Sequence, residues 1–452
     1  MANGKSRSSG IFSALVLITI GALFLLHNYS GLSIGQLLGH WWPLILIFWG
    51  AIKLYERTVA HREGRPGGWI TPGEVFLVVG VLVLIGGVVA FEKVRDHFPN
   101  EINFGNSYSF DIDVAPKQVP PNAKITVQTG RGNLNVRASD VAEIRVSGKK
   151  SVRTWDQRDA EKIAEPFSAE IVQQGDAWEV RPTGFDTSDS RYSMDLDVVV
   201  PKKSLITVRN DNGDIEVSDM AADVAIIGKS GDISVSDTTG TVNIEARKGD
   251  VKVTDTKGDV TIANKSSRVG GQVEAVNVSG SLTINGEFYG PIRAEKISKG
   301  VRFVSQRSDL TLNQLTGHME TGSGNFDIVD APGNISLRTS SNDINVENPT
   351  GKVNITNRNA AVNVRFSAVP KEDVEIDNTR GEITLTIPGS SSFEIQADCH
   401  SCDIDSDFSA DSLKKTSKDS GDSHMEGKYG SGRAPKIILK TSYGSISLRK
   451  TS

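Results

Sequence analysis

The chain has 452 residues, a net charge of −5 at pH 7, 38% hydrophobic residues and 6% aromatic residues. That length holds several domains with ample core, and the mild acidity excludes the basic footprint of a nucleic-acid binder. Glycine is abundant at 44 residues, which with few aromatics fits many short strands joined by tight turns.

Residues 1–96 stand apart as an expected transmembrane region. They hold three apolar runs, Ile11–Leu26, Trp41–Tyr55 and Val75–Phe91. A helix crosses a bilayer with about 20 apolar residues. Flanking residues extend the runs to expected spans at 9–28, 36–55 and 73–92. Lys5 and Arg7 precede the first run, whereas Lys53, Arg57, Arg62 and Arg65 lie at the end of the second run and in the loop before the third. The positive-inside rule then places the N-terminus in the cytoplasm and the chain after the third crossing outside. Lys93 and Arg95, just past the third run, pull the other way. Trp41, Trp42 and Trp69 sit where an aromatic belt anchors helix ends. Two alternatives stay open. The first run can be read as a signal peptide, although no A-x-A-like site follows it. The second can be re-entrant, broken at Pro43, which would return the large domain to the cytoplasm.

Residues 97–203 read as a β-rich lead-in or cap. Strand-like stretches are Lys124–Thr129, Asn133–Arg137, Glu143–Gly148, Glu170–Gln173, Ala177–Arg181 and Met194–Val200. One short helix is expected at Asp156–Ala164, with acids in its first turn and Pro166 beyond its end.

From residue 204 a nine-residue repeat takes over. One aliphatic column reads Ile215, Val224, Ile233, Val242, Val251, Val260; its companion, two residues on, reads Val217, Ile226, Val235, Ile244, Val253, Ile262. The pair returns as Phe326, Ile335, Ile344, Val353, Val362 and Ile328, Leu337, Val346, Ile355, Val364. Period-two alternation makes each unit a strand with one buried face. The units open on Gly213-Asp214, Gly231-Asp232, Gly249-Asp250 and Gly258-Asp259, expected to turn the chain because both residue types tolerate positive φ. Nine residues are too few to close a coil, so two half-units make an 18-residue coil. The expected fold is mainly β: a parallel β-solenoid of two facing sheets spanning 204–452.

The register slips between the two regular blocks. Val260 to Val273 is thirteen, Leu282 to Ile292 is ten and Met319 to Phe326 is seven. These slips sum to the offset between the blocks, which predicts a continuous coil with bulged corners. Val374, Ile376, Ile383 and Leu385 continue the pattern. Residues 406–435 are polar and read as a mobile loop, and Gly444–Leu448 is expected to close the stack.

Cys399 and Cys402 form a single C-x-x-C. One pair cannot supply a four-ligand zinc site. A structural disulfide in an oxidising compartment is the leading reading, with free thiols or a redox pair as alternatives. Outward positions show no stacked acids of the kind a polysaccharide hydrolase needs. Asn345, Asn354 and Asn363 suggest an amide ladder, or else a ligand platform. Asn210–Asp214 resembles a calcium loop but lacks the downstream Glu. The seven His residues are scattered, and no HExxH or G-x-S-x-G occurs. No catalytic, cofactor or metal residues are therefore assigned.

Residues 204–452 resemble the bacterial putative adhesin, β-strand-repeat family, through their Gly-Asp-aliphatic-x-aliphatic units. Arg380–Pro388 and Ser442–Leu448 match its terminal pattern. Residues 11–55 resemble the membrane region of Lia-type envelope-stress proteins, through Gly21–Asn28 and Trp42–Leu46. These resemblances imply a bacterial envelope protein. Together with the charge pattern they give the expectation of a multi-pass protein of the bacterial cytoplasmic membrane that displays its extracytoplasmic C-terminal solenoid as a non-catalytic, adhesin-like scaffold. It would contact the lipid bilayer and an unidentified envelope protein or polymer. The alternatives are a stress-response regulator acting through its membrane helices and, more remotely, a polysaccharide-active enzyme.

Overall fold

The computed structural model describes residues 105–184, 189–265, 270–322 and 324–451. The three apolar runs lie outside them. Among the described residues no helix is long and apolar enough to cross a membrane.

Strands alternate between two long sheets. The front sheet carries Ile215–Ser218, Ile233–Ser236 and Val251–Thr256; the back sheet carries Val224–Gly228, Val242–Ala246 and Val260–Ala263. Each strand pairs in parallel with the one a full coil away. Ile233 lies between Ile215 and Val251, and Val242 lies between Val224 and Val260. The aliphatic columns from Ile215 to Ile262 and from Phe326 to Val364 all point inward and are buried. Burying each such side chain contributes about 1.5–3 kcal/mol before chain entropy is counted. This is the architecture of a flattened solenoid.

The coil is not continuous between the regular blocks. After Val301–Val304 the chain turns back, so that Asp309–Leu312 runs antiparallel to it in the back sheet. Leu315–Thr321 then runs antiparallel to Ile292–Ile297 in the front sheet. A second reversal yields Asn325–Val329, and parallel pairing resumes at Ile344 and Val353. One coil is thus traversed backwards between two hairpins, where the sequence suggested bulged corners. Inward alternation survives because Leu310, Leu312, Leu315 and Met319 still face the core.

The ends also depart from a simple winding. Lys124–Thr129 lies between Ala177–Thr183 and Leu205–Asn210, while Leu134–Ser139 lies between Tyr192–Pro201 and Ile215–Ser218. The stack therefore begins well before residue 204, and the expected boundary there does not separate two structures. Only part of the lead-in acts as a cap. Asn106–Gln118 forms the antiparallel outer edge of the front sheet on Glu143–Thr154. The helix Gln157–Ala164, capped by the Asp156 side chain, buries Ala160 and Ala164. Lys150 Nζ donates to the carbonyls of Ala164 and Phe167 at 2.6 and 2.5 Å, fixing the helix end to the sheet.

The C-terminal end mirrors this arrangement. Lys436–Tyr443 slots between Val374–Arg380 and Phe393–Cys399, and Ile446–Thr451 slots between Ile383–Pro388 and Ile404–Ser406. Neither of the last two strands is outermost: Phe393–Cys399 and two further strands lie beyond Lys436–Tyr443, and Ile404–Ser406 lies beyond Ile446–Thr451, so Gly444–Leu448 does not close the stack. Residues 406–435, expected as a loop, contain the hairpin Leu413–Ser417 and Ser423–Tyr429, which extends the back sheet. Its outward groups are polar, but Met425 is buried, and Phe393, Phe408 and Tyr429 meet with ring centroids 4.9–5.4 Å apart. That aromatic cluster covers the open end of the core.

Candidate functional site

The Gly-Asp units split the turn role that the sequence assigns to both residues: three of the glycines take it and the aspartates do not. Gly213, Gly231 and Gly249 adopt φ of 131°, 129° and 103°. A Cβ on any of them would collide with the carbonyl of the preceding coil. Gly258 is crowded in the same way, although its φ is not in the left-handed region. Asp214, Asp232, Asp250 and Asp259 are not left-handed either. Instead each carboxylate reaches to the next coil. Asp214, Asp232 and Asp250 accept from the backbone N–H of Asp232, Asp250 and Gln272, each at 2.8 Å. Asp259 accepts from the Ser281 N–H at 2.8 Å and from its hydroxyl at 3.0 Å, which holds its carboxyl below the usual range. The left-handed corner is at the strand's other end, at Asp219, Asp237 and Asp255 with φ of 51–64°. Among the described residues no group of three or more His, Cys, Asp or Glu side chains is placed to hold a metal ion. Asn210 turns inward and donates to the carbonyls of Gly132 and Gly213, so it braces the turn.

Two polar grooves lie on the outer faces of the C-terminal half. The first, about 330 Å³, is on the front sheet and includes Asp327, Asn345, Asn363 and Arg365. Asn363 Nδ2 donates to Asn345 Oδ1 at 3.1 Å, and Asn345 Nδ2 donates to Asp327 Oδ1 at 2.8 Å. The amides are consumed by one another, which favours a stack-stabilising ladder. Asn354 is on the back sheet, opposite Ser336 and Glu375.

The second groove, about 590 Å³, lies across the back sheet at its C-terminal end. Strand register sets side chains in a row: Asp377 opposite Lys440, Lys440 opposite Asp398, Asp398 opposite His424, His424 opposite Thr416. Alternation explains why. Ile437, Leu439 and Thr441 point inward from one strand and Phe393, Ile395 and Ala397 from its neighbour, leaving Lys440 and Asp398 outward. His424 Nδ1 is 2.6 Å from Asp398 Oδ1, and its Nε2 is 3.4 Å from Glu426 Oε2. The Asp398 hydrogen bond, helped by Glu426, raises the His424 pKa above its ordinary value.

At one end of this groove stands the cysteine pair. Cys399 and Cys402 are joined in a disulfide with Cα atoms 5.4 Å apart. Asp422, from the hairpin tip, accepts from the Ser401 N–H at 3.1 Å and lies 2.5 Å from His400 Nδ1. Ser420, Ser401 and His400 together hold the Asp422 carboxyl below its usual range. The His400 ring meets the exposed Tyr443 ring edge-on, with centroids 6.3 Å apart, and the Arg380 guanidinium lies 6.0 Å from that ring's centre. In the sequence His400 and His424 stand far apart, and the strand that carries His424 is signalled only by the alternation of Ser423, Met425, Gly427 and Tyr429 with His424, Glu426 and Lys428.

Two family models match different parts of the chain. The LiaF transmembrane domain matches residues 12–97, and the Toastrack DUF4097 family matches residues 122–449. No curated protein matches. Solved structures similar to the chain include a putative adhesin from Bacteroides fragilis, with 10% identity, covering 77% of this chain and 99% of that one, TM-score 0.23. A putative cell adhesion protein from Clostridium sporogenes has 10% identity, covers 76% and 100% respectively, and has a TM-score of 0.18. A putative lipid binding protein from Parabacteroides distasonis has 13% identity, covers 77% and 98%, and has a TM-score of 0.22. With a family match over most of its length, beginning at the first strand of the stack, the chain belongs to the Toastrack DUF4097 family and carries a LiaF transmembrane domain ahead of it.

Proposed function

We propose that the protein is a membrane-anchored envelope protein whose solenoid is a non-catalytic binding scaffold for an envelope protein or polymer. The observation that carries this reading is the union of a LiaF transmembrane domain and a Toastrack domain in one chain. The solenoid offers long polar faces held rigid by hydrogen bonds from coil to coil, which suits display and contact. In this reading three crossings leave the N-terminus in the cytoplasm and the solenoid outside. Labelling of a Ser417→Cys variant with a membrane-impermeant thiol reagent tests the placement, since Ser417 is exposed. Modification in intact cells or spheroplasts is expected; protection there, with labelling only after lysis, would reverse the topology.

A second reading is favoured by the LiaF transmembrane domain itself: regulation of an envelope-stress sensor through the membrane helices. Separate pull-downs with residues 1–96 and with the full chain distinguish the two. Retention of the same partner by residues 1–96 alone would support the regulatory reading over the scaffold.

A further inference from the structure

We propose that the back-sheet groove beside Tyr443 binds an uncharged, hydroxyl-rich sugar chain, with the Tyr443 ring as its stacking platform. This deepens the scaffold reading and rests on it.

Tyr443 is 57% exposed; Trp155 and Tyr289 are more exposed still, but Tyr443 is the one whose chain neighbours line this groove. It is not loose on the surface. Arg380 and His400 flank it, and its neighbours Thr441 and Ser442 line the groove. An exposed aromatic held beside a polar cavity matches the two-sided character of a pyranose, whose C–H face is apolar and whose rim carries hydroxyls. The groove supplies the polar half. Asp377 and Asp398 are acceptors, Lys440 and Lys418 are donors, and Thr416 is both. Their order along the row alternates in sign, and Asp398 is already paired with His424. A polyanion laid here meets Asp377, Asp398 and Asp422, while a polycation meets Lys440 and Lys418. A neutral chain meets neither penalty and can exchange hydrogen bonds with both kinds of group. The strands lie about 4.8 Å apart, so the row offers polar groups at even steps across several strands. That favours an extended polymer over a compact ligand.

The test uses the full chain in detergent micelles, titrated calorimetrically with chitotetraose and maltotetraose as uncharged probes and with polyphosphate and polylysine as charged ones. Saturable binding of at least one uncharged oligosaccharide is expected, weakened about ten-fold by Tyr443→Ala and retained by Tyr443→Phe. Equal thermal melting of the variants confirms that folding is intact. Binding of neither oligosaccharide, preference for a charged polymer, or binding indifferent to Tyr443→Ala would overturn the assignment. Capture of isolated cell-wall polymer separates the two levels of the argument. Equal capture by the wild-type chain and Tyr443→Ala removes the groove and leaves the scaffold, whereas capture of neither envelope polymer nor envelope protein by the wild-type chain removes the scaffold.

Discussion

The Asp214 carboxylate accepts a hydrogen bond from the backbone N–H of Asp232, one coil further on, at 2.8 Å, and Asp232 does the same for Asp250. Each carboxylate therefore supports the coil after its own. The repeat's acidic residue links neighbouring units where the strand ladder has not yet begun.

Replacing Asp232 by Ala should leave the Asp250 N–H to water at a cost of about 1 kcal/mol. Hydrogen exchange at Asp250 should then quicken by roughly five-fold, while Asp232→Asn, which keeps an acceptor oxygen, should change it less. Unaltered protection at Asp250 would show that the contact carries no weight.

Gly231→Ala should be far more disruptive. Its φ of 129° is strained for any L side chain, and the new Cβ would press on the Gly213 carbonyl. The two effects together should cost at least about 3 kcal/mol. Gly389 provides the control, because the nearest atom to its Cβ position is in the Lys450 side chain at 3.7 Å. Thermal melting should separate the two variants clearly; similar melting would contradict the crowding argument.

The His424 pKa is raised chiefly by its hydrogen bond to Asp398. A raised folded-state value means the contribution is full below the ordinary histidine value of about 6.5 and disappears as pH climbs through the folded value. Docking of Ser423–Tyr429 on Phe393–Cys399 should therefore weaken as pH rises above about 6.5. Hydrogen exchange corrected for its intrinsic pH dependence should report this, and His424→Gln should flatten the response. A dependence that survives in His424→Gln belongs to another group.

The Cys399–Cys402 disulfide closes the corner between Phe393–Cys399 and Ile404–Ser406. For so short a loop, the chain-entropy contribution is about 2 kcal/mol. Cys402→Ser should free the Ser401 N–H from Asp422 and expose the hairpin tip to limited proteolysis, leaving the coils around Val253 protected. Cleavage spreading into those coils would mean that the disulfide stabilises the whole stack.

The period, the inward columns and the helix at 157–164 were legible because burial in a strand follows every second residue. Cys399 and Cys402 were visible as a pair, but their link to Asp422 and His400 was not, since the hairpin that brings Asp422 across lies in a polar stretch. Asn345 and Asn363 could be paired by counting one coil. The Asp398–His424 contact could not be found that way, because those strands meet antiparallel.

Alternation along the chain decides which side chains are inside, and the nine-residue spacing decides how many residues make a coil. An aliphatic-x-aliphatic unit reads the same in both directions, so it carries no record of strand polarity. The backward coil at 309–321 therefore became visible only in the tertiary structure. The same holds for the strands slotted in at both ends. Every coil edge presents equivalent N–H and C=O groups, and only packing of the whole chain decides which edges meet.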